Sequence, residues 1–139
     1  MKHTVTCLLL FISLLGFGQM STLELTVTNF EENKGQLIIS IFNDPESFPT
    51  EGKELKTVVV DKIISNKATV NIELPTGDYA IALLHDRNLD GVCNFNFIGI
   101  PTEAYGFSQN VRPIITIPNF EETMFHVDGY QSLEIELIQ

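Results

Sequence analysis

Cysteine, histidine and basic side chains are all scarce in this chain, and each scarcity removes a class of function. Two cysteines in 139 residues cannot build a disulfide scaffold. Three histidines, far from one another and from Cys93, argue against a structural zinc site. Lysine and arginine together number 8 against 18 acidic residues, and the formal net charge of -10 sets up a field that repels nucleic-acid phosphates. No apolar run reaches the roughly 20 residues that span a bilayer. Sustained helical periodicity, internal repeats and low-complexity tracts are also missing. What is present is a hydrophobic share of 44%, too high for a disordered acidic chain, in a length that suits one domain.

The longest apolar run, Val5 to Phe17, follows Lys2 and ends at the small residues Gly16 and Gly18. This is the pattern of a cleaved secretory signal peptide over residues 1–18, with Gln19 as the mature N-terminus. Cys7 lies near the start of the run, whereas a lipid-anchored cysteine closes it. Cleavage leaves residues 19–139 as a single domain, more acidic by the charge of Lys2 and with Cys93 as its one thiol. The expected location is the periplasm or the cell exterior, with no membrane span after cleavage. Stability then rests on the core, and Cys93 reads as a buried, inert thiol.

The mature chain is dominated by a period of two. Leu23, Leu25 and Val27 alternate with polar residues, and the denser run Leu37 to Phe42 follows the turn-like Glu32-Asn33-Lys34-Gly35, which suggests a hairpin. Thr57 to Ile64 and the alternation of Ala68, Val70, Ile72 and Leu74 suggest a second hairpin across Ser65-Asn66. Tyr79, Ile81 and Leu83 resume the pattern after Pro75-Thr76-Gly77, and Leu133, Ile135 and Leu137 close it. With a further strand near Ile114 to Ile117, the pattern predicts an all-β, antiparallel, immunoglobulin-like (prealbumin-like) β-sandwich of about seven strands. Asp44 to Lys56, rich in proline and glycine, reads as a long connection covering a sheet edge. Asn119 to Phe125 reads as one helical turn that carries Phe120, Met124 and Phe125 inward.

The residues with chemical potential lie in the connection from His85 to Ser108. Asp86, Asn88 and Asp90 occupy positions one, three and five of a loop whose sixth residue is Gly91, the opening of a calcium loop. Alternate side chains of such a curled loop point inward, hard oxygens suit a hard cation, and glycine permits the reversal that brings in the Val92 carbonyl. Asn94 stands at position nine. Phe97 replaces the glutamate of position twelve, so this is not an EF-hand, and a bound ion needs a further oxygen from Asn96 or Glu103. The other reading is a polar turn in which Asp86, Asn88 and Asp90 bond their own backbone. Phe95, Phe97, Tyr105 and Phe107 follow among asparagines and glycines. Exposed, they form a contact patch for a protein or glycan at the cell envelope; packed under the loop, they form a satellite cluster, which is the preferred account.

His85, Asp86, Glu103 and Ser108 include the side-chain types of hydrolytic catalysis, but at no catalytic spacing, and no Gly-x-Ser-x-Gly or His-Glu-x-x-His occurs. An enzyme is not expected. The order Leu74-Pro75-Thr76-Gly77-Asp78-Tyr79-Ala80, His85-Asp86-Arg87-Asn88-Leu89-Asp90-Gly91, then Gly99-Ile100-Pro101-Thr102-Glu103-Ala104-Tyr105-Gly106-Phe107-Ser108 resembles an exported bacterial family, domain of unknown function 2141. Its Pro-x-Gly-x-Tyr turn is also similar to that of collagen-adhesin B-type and carboxypeptidase-regulatory-like sandwiches. The resemblance implies export and a β-sandwich, assigns no substrate, and leaves Tyr79 as a core residue. The expectation is therefore an exported binding or structural module with a candidate calcium loop over 86–97. The alternative is a carbohydrate-binding protein or enzyme that uses the 85–108 loop as a pocket.

Overall fold

The alternation of apolar and polar residues has its direct counterpart in the computed structural model, which describes residues 18–139; the leader expected over 1–18 lies, but for Gly18, outside them. Eight strands form: β1 (Met20–Thr28), β2 (Gln36–Phe42), β3 (Lys56–Val60), β4 (Lys67–Pro75), β5 (Gly77–Asp86), β6 (Tyr105–Phe107), β7 (Phe125–Val127) and β8 (Tyr130–Glu136). One sheet runs β4-β1-β8, the other β3-β2-β5-β6, with β7 paired to the start of β5. The two sheets pack as a sandwich. Leu23, Leu25 and Val27 of β1 meet Leu37, Ile39 and Ile41 of β2 and Tyr79, Ile81 and Leu83 of β5 in one buried core. Every strand pair is antiparallel except β1 with β8, which runs parallel, Thr22 opposite Tyr130 through Thr28 opposite Glu136.

Neither expected hairpin forms. The turn after β1 carries the chain into the other sheet, where β2 pairs with β3 and β5, while β1 pairs with β4 and β8. Likewise β3 and β4 belong to different sheets, and only an isolated bridge between Ile64 and Lys67 joins the turn between them. Period two identifies strands and their inner faces but is silent about which sheet each enters, because both sheets share one core.

The strand expected near Ile114 to Ile117 is also absent. Pro113 and Pro118 bracket these residues and remove two ladder donors, and Ile114 and Ile115 are 95% and 93% exposed. The long connection before β3 does more than cover an edge. Its Phe48 packs on Phe42, Ala80, Phe107 and Phe120, closing a second core on the outer face of the β2/β5 sheet. Phe120 opens α1 (Phe120–Thr123), which starts with a capping box: the Asn119 side chain accepts from the Glu122 amide and the Glu122 carboxylate accepts from the Asn119 amide. Phe120 and Phe125 point inward as expected, whereas Met124 is exposed.

The start of β5 is fixed by Tyr79. Its ring is buried and its hydroxyl donates to the Pro75 carbonyl at 2.7 Å, so the phenol ties the β4–β5 corner to the core. From that corner β5 runs the length of the sandwich and ends at Asp86, which delivers the candidate loop to the opposite end of the molecule.

Candidate functional site

Period two governs the first residues of the site. Along β5 the side chains of Tyr79, Ile81, Leu83 and His85 face the main core, so Asp86 faces the other way. His85 is fully buried, its Nε2 lies 2.7 Å from the Lys34 carbonyl oxygen, and its ring packs edge-on against Phe30 with centroids 4.9 Å apart. Its Nδ1 has no partner within hydrogen-bonding reach. Neighbours in sequence, His85 and Asp86 therefore stand on opposite faces. Ser108 is equally committed to the fold, since its hydroxyl donates to the Thr123 carbonyl at 2.6 Å and accepts from the Ile81 amide at 2.9 Å.

Asp86 is fully buried and held by three N–H donors. Its Oδ2 accepts from the Gly91 amide at 2.9 Å and from Gln36 Nε2 at 2.8 Å; its Oδ1 accepts from the Asp90 amide at 3.2 Å. Gly91 meets this carboxylate in a left-handed conformation, φ 77°, the reversal its place in the loop demands. Asn88 Oδ1 also accepts from the Asp90 amide, at 3.1 Å, and the Asn88 amide group donates to Asp90 Oδ2 at 2.9 Å. Asp90 Oδ1 in turn accepts from the Val92 amide at 3.0 Å. The loop thus has the Asx bonds of a polar turn and curls around the Asp86 carboxylate.

Glu103 completes the cluster from the far end of the connection. It is buried, its Oε1 accepts from the Arg87 amide at 2.9 Å, and one carboxylate oxygen from each of Asp86, Asp90 and Glu103 lies within 4.8 Å of the other two. The Arg87 guanidinium is turned away, donating to Glu31 at 3.1 Å and to the Thr102 carbonyl at 2.9 Å. Between the carboxylates sits the Asn94 amide group, which donates to Asp90 Oδ2 at 2.9 Å, to Glu103 Oε2 at 3.3 Å and to the Val92 carbonyl at 3.3 Å. The Asn94 amide, with the Val92 amide and Asn88, holds the Asp90 carboxyl below its ordinary value of 3.8, so this group stays ionised at neutral pH.

Of the residues singled out in the sequence, Asp86, Asn88, Asp90, Val92 and Asn94 come together, and Glu103 joins them. Asn96 does not: its Oδ1 accepts from the Ile98 and Ile100 amides at 3.0 Å in a turn of its own. Gln36 is the residue that sequence reading missed. It lies fifty positions from Asp86, and only the β2/β5 register, which sets Gln36 opposite Asp86, brings it there. The four aromatics split instead of forming one cluster. Phe107 is buried and Tyr105 half-buried in β6, whereas Phe95 and Phe97 are exposed. Cys93 is half-buried and its thiol is pushed up by burial and by the charges of Glu103 and Glu51, which suppresses thiolate chemistry. Beside the carboxylates an open cleft of about 400 Å³ is lined by Glu32, Arg87, Asn88, Asn94, Thr102 and Glu103.

An acidic loop at one end of a two-sheet, almost wholly β sandwich defines the class of protein. The chain belongs to the family described as an uncharacterized protein conserved in bacteria (DUF2141), whose model matches residues 25–135. No curated protein and no solved structure matches it significantly. Among the described residues no helix is long and apolar enough to cross a membrane.

Proposed function

We propose that the protein is an exported β-sandwich module whose loop from Asp86 to Glu103 binds one calcium ion. The observation that carries the reading is the convergence of three carboxylates, two of them buried, with no basic side chain among them. Burial of like charges without a cation is costly, and a divalent ion supplies the missing charge. Turning the Asn94 amide over, and Asn88 with it at the loss of its bond from the Asp90 amide, which Asp86 Oδ1 still accepts, replaces their donors with carbonyl oxygens. Asp86, Asn88, Asp90, the Val92 carbonyl, Asn94 and Glu103 then offer the six or more hard oxygens that calcium takes. Three formal charges replace the two visible in Asp86 and Asp90 alone, which favours tighter binding. Export is supported by the leader-like first 18 residues.

The test is the melting temperature of residues 19–139 in calcium and in chelator. With calcium at about a hundred times its dissociation constant, linkage stabilises the fold by about 2.7 kcal/mol. A domain of this size converts that to a rise on the order of 10 °C. The rise should vanish in Asp90→Ala, and an unchanged wild-type melting temperature sinks the proposal. A second reading, a sugar-binding protein or an enzyme using the same loop as a pocket, is favoured by the polar cleft beside Arg87 and Thr102. A glycan array and a hydrolase substrate screen without a hit count against it.

A further inference from the structure

Between Asp90 and Glu103 the sequence contains no charged residue, in a chain that is otherwise strongly acidic. The same stretch holds Val92, Phe95, Phe97, Ile98 and Ile100, all exposed, with Phe97 at 99%. We propose that this tip inserts into the interface of a lipid bilayer, with Phe97, Ile98 and Ile100 as the inserted side chains.

Three features favour lipid over other occupants. The tip is a closed projection: Phe95 and Pro101 form a bridge at its neck, and the Thr102 amide donates to the Asn94 carbonyl at 2.8 Å. Four of its backbone amides, those of Asn96, Ile98, Gly99 and Ile100, are paired from within. The Asn96 amide donates to the Ile100 carbonyl at 2.9 Å, the Gly99 amide to the Asn96 carbonyl at 3.0 Å, and the Ile98 and Ile100 amides share Asn96 Oδ1. Each amide paired in this way lowers the cost of leaving water for a lipid interface. The exposed side chains are mainly aliphatic, with one fully exposed ring, which suits acyl chains better than the flat, amide-flanked platform of a sugar site. A net charge of -10 directs the tip to neutral lipid in the absence of a bridging cation.

The inference is independent of calcium binding, and the experiment is done in chelator to keep the two apart. The chain has no tryptophan, so Phe97→Trp introduces a single reporter at a position where nothing in the core changes. Vesicles of phosphatidylcholine and phosphatidylethanolamine should shift its emission to the blue and shield it from an aqueous quencher. Val59→Trp, on the exposed face of β3, should show neither effect. Adding Ile98→Ser and Ile100→Ser to Phe97→Trp should lower vesicle partitioning at least about tenfold, in keeping with the transfer energy of two aliphatic side chains. No spectral change for Phe97→Trp overturns the proposal. So does an equal change at Val59→Trp, or a change produced by oligosaccharide and not by vesicles.

Discussion

Gly35 lies directly beneath the backbone of Asp86 and Arg87, at a φ of 76°, where the turn into β2 passes the base of the acidic loop. A Cβ there would stand 2.7 Å from Arg87 Cα and closer still to the Asp86 carbonyl oxygen, so neither conformation nor space admits a side chain. Gly35→Ala should cost roughly 3 kcal/mol, from left-handed strain and overpacking together, read as a fall in the urea midpoint. A cost under about 1 kcal/mol would mean that the contact is loose. Tyr79 makes a second prediction at this scale. Loss of its bond to the Pro75 carbonyl in Tyr79→Phe should cost about 1 kcal/mol. Burial raises the phenol above its ordinary value of 10.0, so the folded state holds the proton more tightly than the unfolded state does. Its contribution is complete below the unfolded value and is lost as pH rises through the folded one. Alkaline titration of stability should therefore fall less steeply in Tyr79→Phe than in the wild type. Asp90 has the opposite sign: held low by Asn94, it contributes above the ordinary carboxylate value and loses that contribution on acidification.

The second core is where elements meet. Phe48, from the connection before β3, and Phe120, from α1, both cover the outer face of β2 and β5, with ring centroids 6.3 Å apart. Phe48→Ala should cost about 3–5 kcal/mol and release amide protection in residues 43–55 before β2 and β5 are affected, as hydrogen exchange would register. Uniform loss of protection would contradict a separable layer. These elements also show what could be read in advance. β1, β2, β4, β5 and β8 were legible because each exposes one side to water or to a thinner layer and so repeats at two. β6 and β7, three residues each, are too short to carry a period, and Ile114 to Ile117 has strand composition without a partner. The acidic loop was legible because its residues are local, Asp86 to Asn94. Glu103 was one of two candidates, and Gln36 depended on a register that no local pattern encodes. The aromatics misled as a group because adjacent residues of one connection end in three environments.

At the scale of the whole molecule, the chain enters beside the β4–β5 corner, where the Thr76 amide donates to the Gln19 carbonyl at 2.9 Å, and the acidic loop lies at the far end of β5. Ten residues of strand separate them by about 30 Å. The charge of -10 is distributed in kind as well as in place: Glu24, Glu73, Glu134 and Glu136 are on solvent-facing strand positions, whereas Asp86 and Glu103 are buried. Solvated charge needs no partner, while buried like charge does, and calcium is the partner proposed for it. Isothermal titration of calcium into chelator-treated protein tests it most directly. One saturable site per chain is expected, and it should be lost in Glu103→Gln, a substitution of nearly the same shape that keeps one acceptor oxygen and removes the third charge; absence of saturable binding in the folded wild type excludes calcium as the partner.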